Sequence, residues 1–266
     1  MQAMDKHAKP CGWTLVSLRP KGQHAVLRAA VAHSGACTVG LSPWRLQRRP
    51  DAAGARALCT ALQAAAVIFT SPAAVAAAAS CDGGFLNAPE RPWLAVGEGT
   101  LRALRAHGIE HAIAPSRMDS EGLLALPVLS DVQGMTIGLV TAPGGRGLIA
   151  ADLQARGARL LRADVYRRVP VQLPARALAR LSRSPRPWVL AVSSGEALER
   201  VWAQLSPAWQ ARWQAAMAVG VASERLAGQA WAVGRAPVRV AAGPAPAAHR
   251  WPEGRTPRLR RHRAAA

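Results

Sequence analysis

Tyrosine occurs once in this chain of 266 residues, phenylalanine twice and cysteine four times, and acidic side chains number 15 against 34 lysines and arginines. The cysteines, Cys11, Cys37, Cys59 and Cys81, lie more than twenty residues apart with no CxxC pair. Zinc sites need closely paired ligands and a disulfide framework needs an oxidising compartment, so buried or incidental thiols are expected. The histidines are equally dispersed; His107 and His111 share a helical spacing, but Gly108-Ile109 interrupts the helix between them, and no metal centre is indicated.

Other absences exclude function classes. No GxSxG elbow is present and no histidine falls in a polar turn, which disfavours hydrolytic triads. Gly97-Glu98-Gly99 lacks the third glycine of a dinucleotide fingerprint, and Gly144 to Gly147 lacks the Lys-Ser/Thr ending of a P-loop. No signal-peptide core precedes Trp13, and the alanine-rich stretch Ala61 to Ser80 is broken by Gln63, Thr70, Ser71 and Pro72. A soluble cytoplasmic protein without a membrane partner is the expectation.

What is abundant is arginine. The formal net charge is +19; residues 247–266 hold six arginines and one acid, a net of +5 that leaves +14 for the rest. Such an excess suits a polyanionic partner, although an Arg- and Ala-rich composition also follows from genomic coding bias. The segment 247–266 reads as a disordered basic tail.

Strand, polar turn and helix alternate along the chain. Thr14 to Leu18, a helix within Gly22 to Ser34, and Cys37 to Leu41 open it as β-α-β, after which Pro43 to Pro50 reads as a linker or crossing segment. The pattern resumes with a helix after Asp51, strands at Val67 to Thr70, Trp93 to Val96 and His111 to Ala114, and their helices. The most regular unit is Met135 to Pro170, a strand at Thr136 to Thr141, a Gly-rich turn, a helix to about Arg156 and a strand ending at Val165-Tyr166. Strands at Trp188 to Val192, Met217 to Val221 and Val238 to Ala241 follow, with helices at Arg176 to Leu181, Glu196 to Leu205 and Ser223 to Ala232.

Two strands at the N-terminus make too small a sheet, and the last elements would complete it. The expected fold class is therefore α/β, with two doubly wound parallel-sheet domains. The first is discontinuous, residues 1–42 plus 172–246, and the second, 43–171, is inserted into it.

Such folds place chemistry at the carboxyl ends of strands. There the sequence repeats hydroxyl-bearing turns: Thr70-Ser71-Pro72, Gly97-Glu98-Gly99-Thr100, Ser193-Ser194-Gly195 and Ala222-Ser223, beside the glycine turn with Arg146. Hydroxyls with free N–H groups at helix N-termini hold anions, and each turn taken singly also serves as a helix cap. Tyr166 stands at a strand end beside Arg167-Arg168, a proton-donor candidate or an amphipathic plug at a domain junction.

The run GGRGLIAADLQARGARLLRADVYRRVP resembles the signature region of uroporphyrinogen-III synthases. AVIFTSPAAV, LAVGEGTLRALRAHGI and SEGLLALPVL match other segments of that family in order, and TLVSLRP its opening strand. The resemblance implies two α/β domains joined by a two-stranded connector. It also implies cyclisation of hydroxymethylbilane, a linear tetrapyrrole polycarboxylate, with loss of water and inversion of the last pyrrole ring in heme and siroheme biosynthesis. It implies no metal or organic cofactor and points to hydroxymethylbilane synthase as the upstream enzyme; a monomer is the default expectation, and a nucleic-acid partner is not expected.

By the same resemblance Tyr166 matches the family tyrosine that assists departure of the hydroxyl group. Thr70, Ser71 and Thr100 match cleft-lining turn residues of the second domain, and Ser193, Ser194 and Ser223 stand where first-domain turns face the cleft. Arg19 and Arg146 are the expected carboxylate partners. The chain departs from the family pattern at Ser193-Ser194-Gly195, where a Ser-Pro pair is common, at Ala222-Ser223, and after Val240, where the tail replaces a final helix. Two alternatives stand beside the enzyme: a non-catalytic anion- or tetrapyrrole-binding homologue, and a basic nucleic-acid-binding protein.

Overall fold

The structure is a computed structural model that describes residues 11–48, 51–81, 91–144, 147–221, 224–234 and 238–240. The tail at 247–266 lies outside these residues, as do Arg146 and Ser223. The chain divides into two compact units, Met1–Arg45 with Pro170–Ala266, and Leu46–Val169.

In the first unit, β1 (Trp13–Ser17), β2 (Ala36–Gly40), β9 (Trp188–Val192), β10 (Met217–Val221) and β11 (Val238–Val240) form a parallel sheet of order β11-β10-β9-β1-β2. The helices of this unit are α1 (Ala25–Val31), α7 (Ala175–Arg183), α8 (Gly195–Trp202), α9 (Pro207–Ala216) and α10 (Glu224–Gly234). Val16, Leu190, Trp188 and Val201 are wholly buried, so the N-terminal β-α-β and the C-terminal strands share one core.

In the second unit, β4 (Ala66–Phe69), β5 (Trp93–Ala95), β6 (Thr136–Thr141) and β7 (Arg159–Asp164) form a parallel sheet of order β5-β4-β6-β7. Its helices are α2 (Ala52–Leu62), α3 (Pro72–Cys81), α4 (Glu98–Ala106), α5 (Ser120–Leu124) and α6 (Leu148–Ala155). All four residues of β4 are buried because the sheet is covered on both faces. Val67, Phe69 and Val140 meet Val75 and Leu104 on one side, while Ile68, Ile137 and Leu139 meet Leu123, Leu129 and Leu153 on the other.

The remaining strands, β3 (Trp44–Arg48) and β8 (Tyr166–Pro170), pair as a two-stranded sheet. Both passages of the chain between the units fall inside them. The α/β class, its parallel sheets and the two-stranded connector agree with the sequence reading.

Four expectations need correction. Cys11 and Cys37 form a disulfide, with Cα atoms 5.5 Å apart, instead of remaining thiols. Parallel pairing of β1 with β2, extended by Gly12 N–H donating to the Gly35 carbonyl at 2.8 Å, brings them together across 26 residues of chain. Pro43 to Pro50 contains strand β3 where a linker was read. The expected strand at His111 to Ala114 is a single bridge, Leu94↔Ile113. Finally, α9 stands where the sequence suggested nothing regular, although Ser206 before Pro207 caps it, its hydroxyl accepting from Trp209 N–H at 3.4 Å.

Candidate functional site

The carboxyl ends of β4 and β6 are neighbours, and the parallel register Phe69↔Val140 sets Thr70 beside Thr141. Their hydroxyls hydrogen-bond at 2.8 Å. One residue on, Ser71 leads into α3, and its Oγ accepts from Ala74 N–H at 3.1 Å in the manner of an N-cap. The same Oγ lies 3.0 Å from the Tyr166 phenolic oxygen. Tyr166 begins β8, where its ring packs in the core with 6% exposure and only the hydroxyl reaches the polar edge.

These groups line a cleft of about 200 Å³ built wholly from the second unit. Arg162, Arg168 and Ser120 complete its polar lining, and the first turn of α6, from Gly147 to Ala150, closes another side. Arg162 of β7 is held by Asp164, whose Oδ1 accepts from Nε at 3.1 Å and Nη2 at 3.0 Å, and by the Ala142 carbonyl at 3.4 Å. Among the described residues the lining thus offers hydroxyls, cations and the N-terminal ends of α3 and α6, and no carboxylate. Such a surface suits a ligand rich in carboxylates.

Of the residues expected from sequence, Thr70, Ser71 and Tyr166 meet here. Thr100 does not: it is 4% exposed in the first turn of α4, its N–H donating to the Gly97 carbonyl at 2.9 Å. In the first unit Ser194 caps α8, its Oγ accepting from Ala197 N–H at 3.3 Å, while Ser193 beside it is exposed. Arg19 follows β1 half-buried, and burial lowers its guanidinium pKa from the ordinary value.

Sequence reasoning missed Thr141, Ser120, Arg162 and Arg168 in the cleft. The rule that selected Thr70 extends to Thr141, the last residue of β6, whereas Arg162 lies inside a strand and carried no signal. It also missed a chain in the first unit, where His24 Nδ1 lies 2.9 Å from Ser17 Oγ and Nε2 lies 2.9 Å from Ser42 Oγ.

Burial pushes the His24 imidazole below its ordinary value, and the charges of Arg28 and Arg19 push the same way. An unfolded chain takes up this proton near the usual value of about 6.5, while the folded one resists it. Stability is therefore full above that pH and declines as pH falls through it toward the folded value. In urea unfolding at about pH 7.5 and about pH 5.5, His24→Asn is expected to lose less stability between the two than the unsubstituted protein. An equal loss would place the titration elsewhere.

A family profile for uroporphyrinogen-III synthase HemD matches residues 25–248. The chain belongs to this family. Uroporphyrinogen-III synthases of Escherichia coli K12 and Salmonella typhimurium LT2 are similar to it, at 30% identity over 163 residues and 33% over 158. The matches cover 59% and 58% of this chain. It spans just under two thirds of those relatives' length, 66% and 64%.

Among solved structures, a mutant uroporphyrinogen III synthase of Thermus thermophilus aligns with TM-score 0.56 and 16% identity, over 85% of this chain and 91% of its own. A uroporphyrinogen-III synthetase from Helicobacter pylori 26695 aligns with TM-score 0.56 and 14% identity, over 88% and 94%. At such identity these likenesses establish the family's fold in this chain.

Proposed function

We propose that the protein is a uroporphyrinogen-III synthase, a lyase that cyclises hydroxymethylbilane with loss of water and inversion of the last pyrrole ring. The observation that carries this reading is the Tyr166–Ser71 hydroxyl pair, 3.0 Å apart, on a cleft lined with hydroxyls and cations in a member of that family.

In the first step the C–O bond of the substrate's hydroxymethyl group breaks, its electron pair leaving with oxygen as the pyrrole nitrogen, keeping its hydrogen, pushes in to form an azafulvenium cation. The departing oxygen needs a proton. Ser71 Oγ accepts from Ala74 N–H, so its own proton is available to the Tyr166 oxygen. With that bond made, the phenolic O–H points away from Ser71 and donates to the leaving hydroxyl, which departs as water. Charge developing on the phenolic oxygen is met by the Ser71 hydroxyl and the N-terminal end of α3.

Thr70, Thr141, Arg162 and Arg168 hold acetate and propionate carboxylates and keep the flexible chain folded for ring closure. Arg19, Ser193, Ser194, Thr100, Arg146 and Ser223 enter the proposal as substrate-binding residues on the family resemblance alone. The chemistry as proposed uses neither metal nor organic cofactor. The protein acts as a cytoplasmic monomer on substrate released by hydroxymethylbilane synthase; among the described residues no helix is long and apolar enough to cross a membrane.

Genetic complementation tests the reading. In a bacterium deprived of its own uroporphyrinogen-III synthase, the expressed, folded protein is expected to restore growth without added heme. Failure to grow with folded protein present in the extract would count against it.

A further inference from the structure

Arg19 is the one carboxylate partner proposed in the first unit whose surroundings the structure describes, and nothing yet says what aims it. Its own backbone N–H donates to Ser17 Oγ at 3.4 Å. Ser17 is fully buried at the end of β1, and its hydroxyl also meets His24 Nδ1 at 2.9 Å. On its far side the same imidazole meets Ser42 Oγ at 2.9 Å, just past the end of β2. Gly40 leaves the room for the ring, since a Cβ there would lie 2.5 Å from Nε2 and 2.7 Å from Cε1.

We infer that His24 is a positioning residue for an anion subsite on the first unit, holding the β1–α1 turn through Ser17 so that Arg19 presents its guanidinium to a carboxylate. Three features support it. The imidazole bridges the ends of two adjacent strands and is the only side chain, among the described residues, bonded to both serine hydroxyls. Arg19 is half-buried and has no carboxylate partner among the described residues; Arg28, Arg105 and Arg176 also lack one but are exposed. Finally, burial, with the charges of Arg28 and Arg19, lowers the pKa of His24 and so favours the neutral ring, in which one nitrogen donates and the other accepts.

The two ring nitrogens have separable duties, which amide side chains can imitate. Asparagine places a polar atom where Nδ1 stands and keeps the Ser17 bond. Glutamine places one where Nε2 stands and keeps only the Ser42 bond. If the Ser17 bond aims Arg19, the variants must differ; a space-filling histidine would make them alike.

The subsite rests on the synthase reading only for the identity of its natural ligand, so the probe is citrate, a simple tricarboxylate, followed at the Arg19 Nε–Hε resonance of the full chain. The unsubstituted protein and His24→Asn are expected to bind within about twofold of each other, and His24→Gln about tenfold more weakly, one positioned hydrogen bond being worth about that. Gly40→Ala, which displaces the ring and leaves its chemistry unchanged, is expected to weaken binding similarly should either histidine variant fail to fold. The inference is overturned if Asn and Gln variants behave alike, if Gly40→Ala binds as the unsubstituted protein does, or if the Arg19 resonance ignores citrate. Citrate binding as described, in a protein that forms no type III product, would remove the synthase reading and leave the positioning role standing.

Discussion

Replacing Tyr166 with phenylalanine is expected to lower the rate of type III product formation about a hundredfold, within the range seen when a positioned proton donor is lost. The substitution is narrow. The ring of Tyr166 packs with Phe69, Trp93 and Val165 in the same core, and phenylalanine fills that space equally. What disappears is the hydroxyl that Ser71 Oγ orients from 3.0 Å. Stability should fall by no more than about 1 kcal/mol, the worth of one hydrogen bond. Ser71→Ala should slow the reaction less, because the phenol keeps its proton and loses only its partner. Unchanged cyclisation in Tyr166→Phe would reduce the residue to packing.

A second large effect is expected at Gly138, in the middle of β6. A Cβ there would lie 2.0 Å from the Ala61 carbonyl oxygen and 2.9 Å from its carbon, backbone atoms of α2 that no rotamer change can move aside. Gly138→Ala must push α2 off the sheet or bend β6, which is hydrogen-bonded to β4 on one side and β7 on the other. The expected loss is about 3 kcal/mol, the upper part of the range for overpacking, read as a lower urea midpoint. Gly228→Ala supplies the contrast on the same measurement. It lies inside α10 with open space where a Cβ would go, and alanine there should gain up to about 1 kcal/mol of helix propensity. Equal effects at the two glycines would refute the packing described for α2.

The contrast between these glycines also shows what the sequence alone could convey. β4, β6 and β9 were legible because strands buried on both faces read as uninterrupted apolar runs. Asp51 announced α2 because a carboxylate before a helix accepts a free N–H, here from Gly54 at 2.7 Å. β3 was hidden although Trp44-Arg45-Leu46-Gln47 alternates, because so short a run between Pro43 and Pro50 reads equally as a proline- and arginine-rich crossing segment. α9 was hidden because its apolar residues are spread around the helix and mark no face.

The site divides in the same way. Thr70, Ser71 and Tyr166 were legible from their places at strand ends, since topology brings such ends to one side of a parallel sheet. That Ser71 bonds Tyr166, across 95 residues, depends on where β8 begins relative to α3, which no local pattern encodes. The same holds for the Cys11–Cys37 disulfide and for the Ser17–His24–Ser42 chain: each joins residues whose nearness exists only after β1 and β2 have paired.

The most direct test of the central claim is the isomer ratio formed when the purified full chain receives fresh hydroxymethylbilane. Spontaneous ring closure gives the type I product without inversion, so it serves as an internal standard in every reaction. Type III product is expected to predominate with the unsubstituted protein and to fall toward the spontaneous background with Tyr166→Phe. Type I product alone, from folded unsubstituted protein, would contradict the account.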